Sequence, residues 1–132
     1  MAWYGFMSVG VGAMFGAWLR WGLGMALNPL LPTLPLGTLA ANLIGGYLIG
    51  LVIGYIEHFQ ALSPEIRLFV TTGFLGGLTT FSTFSAETTT LLLRQDYVWA
   101  GLSIGAHLVG SLAMTLLGVG TVVLAKGWLT SH

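Results

Sequence analysis

Between residues 71 and 90 the chain reads TTGFLGGLTTFSTFSAETTT, with ten hydroxyl side chains, three glycines and one carboxylate. Long apolar runs flank it, of the kind that lie in a bilayer, where polar side chains and freed backbone groups find no water. Such a segment has to face protein, ions or a water-filled path. Within it, Gly76-Gly77-Leu78-Thr79-Thr80 joins two glycines to two β-branched residues, all weak helix formers. A helix broken over 76–80 is expected. Carbonyls freed there are ligands for a hard cation such as Na⁺; a kink satisfied by neighbouring hydroxyls fits the same residues. No Asp or Glu stands at that depth, which argues against a divalent cation held by carboxylates.

Other polar groups fall at helical spacing. Phe81 and Phe84 are three apart, on one face. Such pairs usually serve a core, yet here the positive ring edges can meet an anion without presenting a full charge. Glu87 is the one carboxylate well inside an apolar segment, a functional candidate by default; a hydrated side chain near a vestibule suits its place equally. Thr38 and Asn42 lie four apart and share a helix face. Asn42 offers a carbonyl and two N–H donors, which can tie helices together or hold an anion weakly enough for it to leave. Ser103, His107, Ser111 and Thr115 follow at intervals of four, a polar stripe drifting slowly round one helix. Any one such hydroxyl commonly bonds back to its own helix. Four in register point to a hydrophilic track. Nothing in the sequence sets a carboxylate or metal beside His107.

The elements that carry these residues follow from composition. Hydrophobic residues make up 55% of the chain and charged ones 6%, against about a quarter charged in soluble domains. Mean hydropathy is +0.88. The 132 residues hold about four spans of ~20 residues with short connections. An all-α membrane protein is expected, one transmembrane domain over residues 1–132, with helices near 3–27, 36–56, 66–93 (broken at 76–80) and 97–124. Trp3, Tyr4, Tyr55, Tyr97, Trp99 and Trp128 lie near span ends, as in an interfacial aromatic belt. The N-terminus lacks a basic region before its apolar run and is taken as the first span, not a cleaved signal. Zero cysteines exclude disulfides and thiolate metal sites, and zero net charge gives no sign of nucleic-acid binding.

Glycines recur four apart at 12 and 16, 46, 50 and 54, 73 and 77, and 101 and 105, letting helix backbones approach closely. A bundle so dense leaves little room for a pore through one protomer, so the working unit is expected to be an oligomer. With the N-terminus on one side, Arg67 and Lys126 share that side, while Arg20 and Arg94 fall opposite. Orientation follows a Lys/Arg excess, and two against two is none. Insertion in both directions, with pairing of inverted copies, is compatible with that count, as is chance in so small a sample.

Taken together, GAWLRWG (16–22), GTLAANLIGG (37–46), TTGFLGGLTTFSTFSAE (71–87) and GSLAMT (110–115) resemble the signatures of the Fluc, or CrcB, fluoride channels, over all four spans. Where the family's GFCGG pattern has Cys, this chain has Leu75; the change touches packing beside the break and removes no ligand. The resemblance implies a passive fluoride-selective channel in a bacterial inner membrane, built as a dual-topology antiparallel homodimer with two interfacial pores. It implies a structural, untransported Na⁺ held by backbone carbonyls of Gly76 and Thr79 from both copies. It carries over Asn42, Phe81 and Phe84 as pore residues, Ser82 and Thr83 as hydroxyls on the fluoride route, Ser111, Thr115 and Glu87 as the polar track, and Arg20 at the vestibule end of the first helix.

Two other classes compete. A proton-coupled multidrug exporter of similar size needs a carboxylate in its first span, where this chain has none. A non-transporting membrane subunit accounts for the glycines but leaves the hydroxyl-rich broken segment and the polar stripe unexplained. No nucleophile–base pair or metal-ligand cluster suggests an enzyme.

Overall fold

A computed structural model describes residues 2–131 and is helical almost throughout. Helix α1 (Ala2–Leu27) ends in a short 3₁₀ turn, Asn28–Leu30, and is followed by α2 (Leu36–His58). The third segment is composite: α3 (Pro64–Arg67), a π-helix over Leu68–Leu75, α4 (Gly76–Leu78), a two-residue gap, then α5 (Phe81–Leu93). Helix α6 (Tyr97–Thr130) closes the chain.

The termini of these helices have local causes. Asn28 Oδ1 accepts the Gly37 N–H at 2.8 Å, satisfying a first-turn amide of α2. Ser63 caps α3 by accepting from Ile66 N, ahead of Pro64 in the first turn. At the end of α5 the Asp96 N–H reaches Leu91 O and the Gln95 N–H reaches Leu92 O, a Schellman closure. Its left-handed position, usually glycine, is filled by Gln95 at φ 59°. Helix α6 runs past the expected end near 124 to Thr130, about 51 Å at 1.5 Å per residue. Its Lys126 lies inside the helix and donates to the last carbonyl of α2, His58 O, at 2.6 Å, with its ammonium 5.9 Å from the Phe59 ring centre.

Packing is pairwise: α2 lies along α6, and α1 along the π-helix. Glycines set both approaches. A Cβ on Gly50 would strike the Thr115 carbonyl and stand 3.0 Å from Gly118 Cα; one on Gly16 would strike Phe74 O and reach Leu78 N at 2.7 Å. By contrast Gly101 and Gly105 meet nothing within 4 Å, so their spacing serves no contact inside the protomer. The small core, Ala41, Leu75 and Leu78 backed by Leu48, Ile49 and Phe74, sits against the gap in the third segment. Apolar side chains such as Trp18, Trp21, Leu108, Leu112 and Leu116 are exposed. Helices α2 and α6 have the length and apolar character to cross a membrane; α1 has the length, and the third segment is divided.

Candidate functional site

The expected interruption over 76–80 is narrower than the glycines suggested. Gly76 and Gly77 are helical, and the chain leaves helix only at Thr79 (φ −80°, ψ 154°) and Thr80 (φ −150°, ψ 112°). The cause lies 38 residues upstream. Asn42 Oδ1 takes the Thr80 N–H at 2.7 Å, and Asn42 Nδ2 donates to Thr80 O at 3.0 Å. In a continuous helix that N–H would close on Gly76 O. The side-chain amide of α2 thus replaces a helical bond with a two-point clamp.

A second diversion follows from the first. Thr80 Oγ1 caps α5 by accepting the Thr83 N–H at 3.1 Å, the amide that would otherwise close on Thr79 O. Gly76 and Thr79, the two residues whose carbonyls were singled out for Na⁺, therefore both lose their helical partners. Gly77 O receives Arg20 Nε at 3.1 Å. Arg20 leans on the carbonyl end of the first half-segment, where a cation is favoured.

Two surfaces flank the gap. On one, a groove of about 480 Å³ is lined by Asn42, Thr79, Phe81, Phe84, His107 and Ser111 among others. None of its lining residues carries a full charge when His107 is neutral. Phe81 is 79% exposed and meets Phe84 edge-on at 5.5 Å between centroids; Phe84 in turn lies 4.6 Å from the His107 ring. On the other surface, Arg20, Thr38, Thr80 and Thr83 line a cavity of about 320 Å³. Buried Thr38 donates to Glu87 Oε2 at 2.7 Å, while Glu87 Oε1 is buried with no partner among the described residues. Glu87 also borders a third cavity with Arg94 and Asp96.

The gap gathers most of the expected residues and changes what several can do. Asn42 has both N–H groups engaged, one on Thr80 O and one 3.0 Å from His107 Nδ1. The stripe on α6 divides. Ser103 is buried against Thr88 at 3.0 Å, and Thr115 Oγ1 donates to Gly46 O and Ser111 O, so both serve packing. His107 and Ser111 remain on the groove. Ser82 is exposed, its hydroxyl 3.4 Å from Thr80 Oγ1, and Thr83 Oγ1 accepts from Thr80 Oγ1 at 2.9 Å. Sequence reasoning placed Thr80 in the break but gave no role to it, the residue clamped and the residue that caps. It also left His107 and Thr38 without a partner; the fourfold spacing had flagged both but could not say what they meet. Among the described residues no three His, Asp or Glu side chains gather as metal ligands.

These features define a small helical membrane protein with an uncharged polar seam at an interrupted helix. Residues 7–119 match the family described as CrcB-like protein, Camphor Resistance (CrcB). The chain is 63% identical over 132 residues, all of both chains, to "Fluoride-specific ion channel FluC" of Nitrosospira multiformis. It is 58% identical over 122 residues to the protein so named in Ralstonia pickettii, covering 92% of this chain and 97% of that one. The counterpart in Thiobacillus denitrificans is 59% identical over 113 residues, 86% of this chain and 91% of its own. The chain belongs to the CrcB family.

Proposed function

We propose that the chain is a passive fluoride-selective ion channel, working as an antiparallel homodimer with a pore on each side of the interface. The observation that carries this is the groove beside Thr79–Thr80, where imidazole, hydroxyls and aromatic rings collect without a charged side chain. Fluoride is small and strongly hydrated, so a narrow path must replace its water with donors. Neutral donors and ring edges do so without the deep trap a buried Lys or Arg would make, and conduction needs sites that release as well as bind. Glycine contacts such as Gly50 on Thr115 make the surroundings stiff, which disfavours a larger halide. The relatives' name agrees with this chemistry, at 63% identity over the full length. Transport, not catalysis, is what these residues support.

The same groove supports the dimer reading. Gly76 is exposed and its carbonyl has lost its helical amide, a group acyl chains cannot satisfy. A second copy is the cover that fits, and the balanced Arg and Lys positions allow it to be inverted. The Gly76 and Thr79 carbonyls suit a resident Na⁺. Both lack their i+4 amides, both are neutral oxygens, and two copies would double the set. When bound, such an ion would add positive potential beside the pores without lying in either.

Within this scheme Phe81, Phe84 and Ser111 line the fluoride route, with Ser82 and Thr83 beside it. Asn42 holds the gap open, Thr115 supports the track through its backbone bonds, and Arg20 and Glu87 border the far cavities. Purified protein in liposomes should release fluoride down its gradient once a K⁺ shunt is provided, with chloride barely following. Efflux that required a proton gradient and carried organic cations would favour the exporter instead, and no flux of either kind would favour a non-transporting subunit. Phe84→Ile should reduce flux with the dimer intact, and purification without Na⁺ should abolish flux or the dimer.

A further inference from the structure

Asn42 occupies the gap in one orientation only. The Thr80 N–H requires an acceptor, which fixes Oδ1 there at 2.7 Å, and Nδ2 then donates to Thr80 O at 3.0 Å. The remaining N–H of Nδ2 lies 3.0 Å from His107 Nδ1. An amide N–H only donates, so Nδ1 must be the bare nitrogen, and a neutral imidazole then carries its proton on Nε2. That nitrogen is buried without a hydrogen-bond partner among the described residues, in a ring only 5% exposed. The ring rests against Phe84 and lines the groove with Phe81 and Ser111.

We propose that the backbone of the interrupted helix, acting through Asn42, sets the tautomer of His107, so that the groove is offered a fixed Nε2–H donor rather than a bare nitrogen. This rests on the channel reading above for the identity of the anion, fluoride. It assigns Asn42 as a positioning residue: with both of its own N–H groups engaged, it acts through the ring it orients. The opposite tautomer would turn a lone pair toward an incoming anion and repel it. Nε2 is buried in the protomer, so the ion takes this N–H as its donor only when the lining around the ring yields.

The relay is tested by ¹⁵N NMR of histidine-labelled protein in lipid at neutral pH, with fluoride flux measured on the same preparation. His107 should show an unprotonated Nδ1 and a protonated Nε2, and added fluoride, unlike chloride, should shift the Nε2 signal. Asn42→Asp, which replaces the donor by a carboxylate oxygen, should abolish that fixed pattern. Replacing His107 with Nτ-methylhistidine keeps the Nδ1 acceptor and blocks Nε2; flux should fall about tenfold or more, the equivalent of one lost hydrogen bond to a charged partner. His107→Phe, which retains the ring contact with Phe84, should lose flux as well. A protonated Nδ1 in the unmodified chain, or full flux after Nε2 methylation, overturns the proposal. An unmodified chain that passes no fluoride overturns the channel reading and with it the donor role, whereas the NMR pattern decides the tautomer relay by itself.

Discussion

Asn42→Leu removes the clamp while keeping the side chain's approximate volume. Three hydrogen bonds disappear together: Thr80 N–H to Oδ1, Nδ2 to Thr80 O, and Nδ2 to His107 Nδ1. Side-chain hydrogen bonds inside a bilayer average about 0.6 kcal/mol and reach about 1.7, so the three amount to about 2 kcal/mol, with a ceiling near 5. The lower figure applies if the chain relaxes, and a specific relaxation is available. Freed from Asn42, the Thr80 N–H can return to Gly76 O and continue α4 toward α5. The gap would close, Gly76 O would regain its helical partner, and the groove would lose its shape. Hydrogen exchange at the Thr80 amide, thermal unfolding in detergent and liposome fluoride efflux read the three consequences separately. The variant should lose nearly all flux, unfold with about 2 kcal/mol less stability, and show altered protection at Thr80. Wild-type flux with unchanged Thr80 exchange would refute the idea that this amide holds the interruption open.

Gly50→Val should destabilise the α2–α6 pair by about 1–3 kcal/mol, as expected for overpacking, and lower the melting temperature, because its Cβ would meet the Thr115 carbonyl. Gly101→Val, whose Cβ has nothing within 4 Å, should leave the protomer's own packing unchanged; loss of dimer on gel filtration would place Gly101 on the partner-facing surface. Gln95→Gly should stabilise the chain by about 1 kcal/mol in chemical unfolding, because the left-handed conformation at φ 59° costs an L-residue about that much. Lys126→Met should remove the bond to His58 O and speed hydrogen exchange in the last turn of α2, with fluoride flux unchanged because Lys126 borders none of the cavities at the gap.

The glycine-threonine run located the interruption within five residues because its composition is poor in helix formers. It did not reveal which of the five would leave the helix. Gly76 and Gly77 have a cost in a helix but no competing partner for their amides, and they stay helical. Thr80 departs because Asn42 supplies a better-placed acceptor across 38 residues of sequence. No local propensity contains that information. The same holds for the stripe on α6, where spacing put Ser103, His107, Ser111 and Thr115 on one drifting face. Whether a hydroxyl is free depends on the opposing surface, and Thr88 and Gly46 O take up two of the four. The π-helix over Leu68–Leu75 left no mark in the sequence beyond the glycines of α1 that pack against it.

What the bundle does with Asn42 bears on how a neutral site can be polar and still release its ion. A free carboxamide in the groove would offer an anion two donors at a single point. Here the carboxamide is already satisfied by Thr80 and His107, and in the proposed relay the polarity reaches the groove secondhand, through the imidazole beside two aromatic rings and a serine. Each of those groups is a weak ligand alone, and none must break a bond within the chain to meet an ion. A pathway of such partners keeps every site shallow, whereas a strong donor set would deepen one of them and slow passage. Asn42→Ser, which is too short to reach both Thr80 and His107, should therefore reduce flux by letting the gap close. If it instead left flux intact, with the Thr80 amide as slow to exchange as in the parent chain, the carboxamide would be dispensable and the groove's shape would have to rest on packing alone.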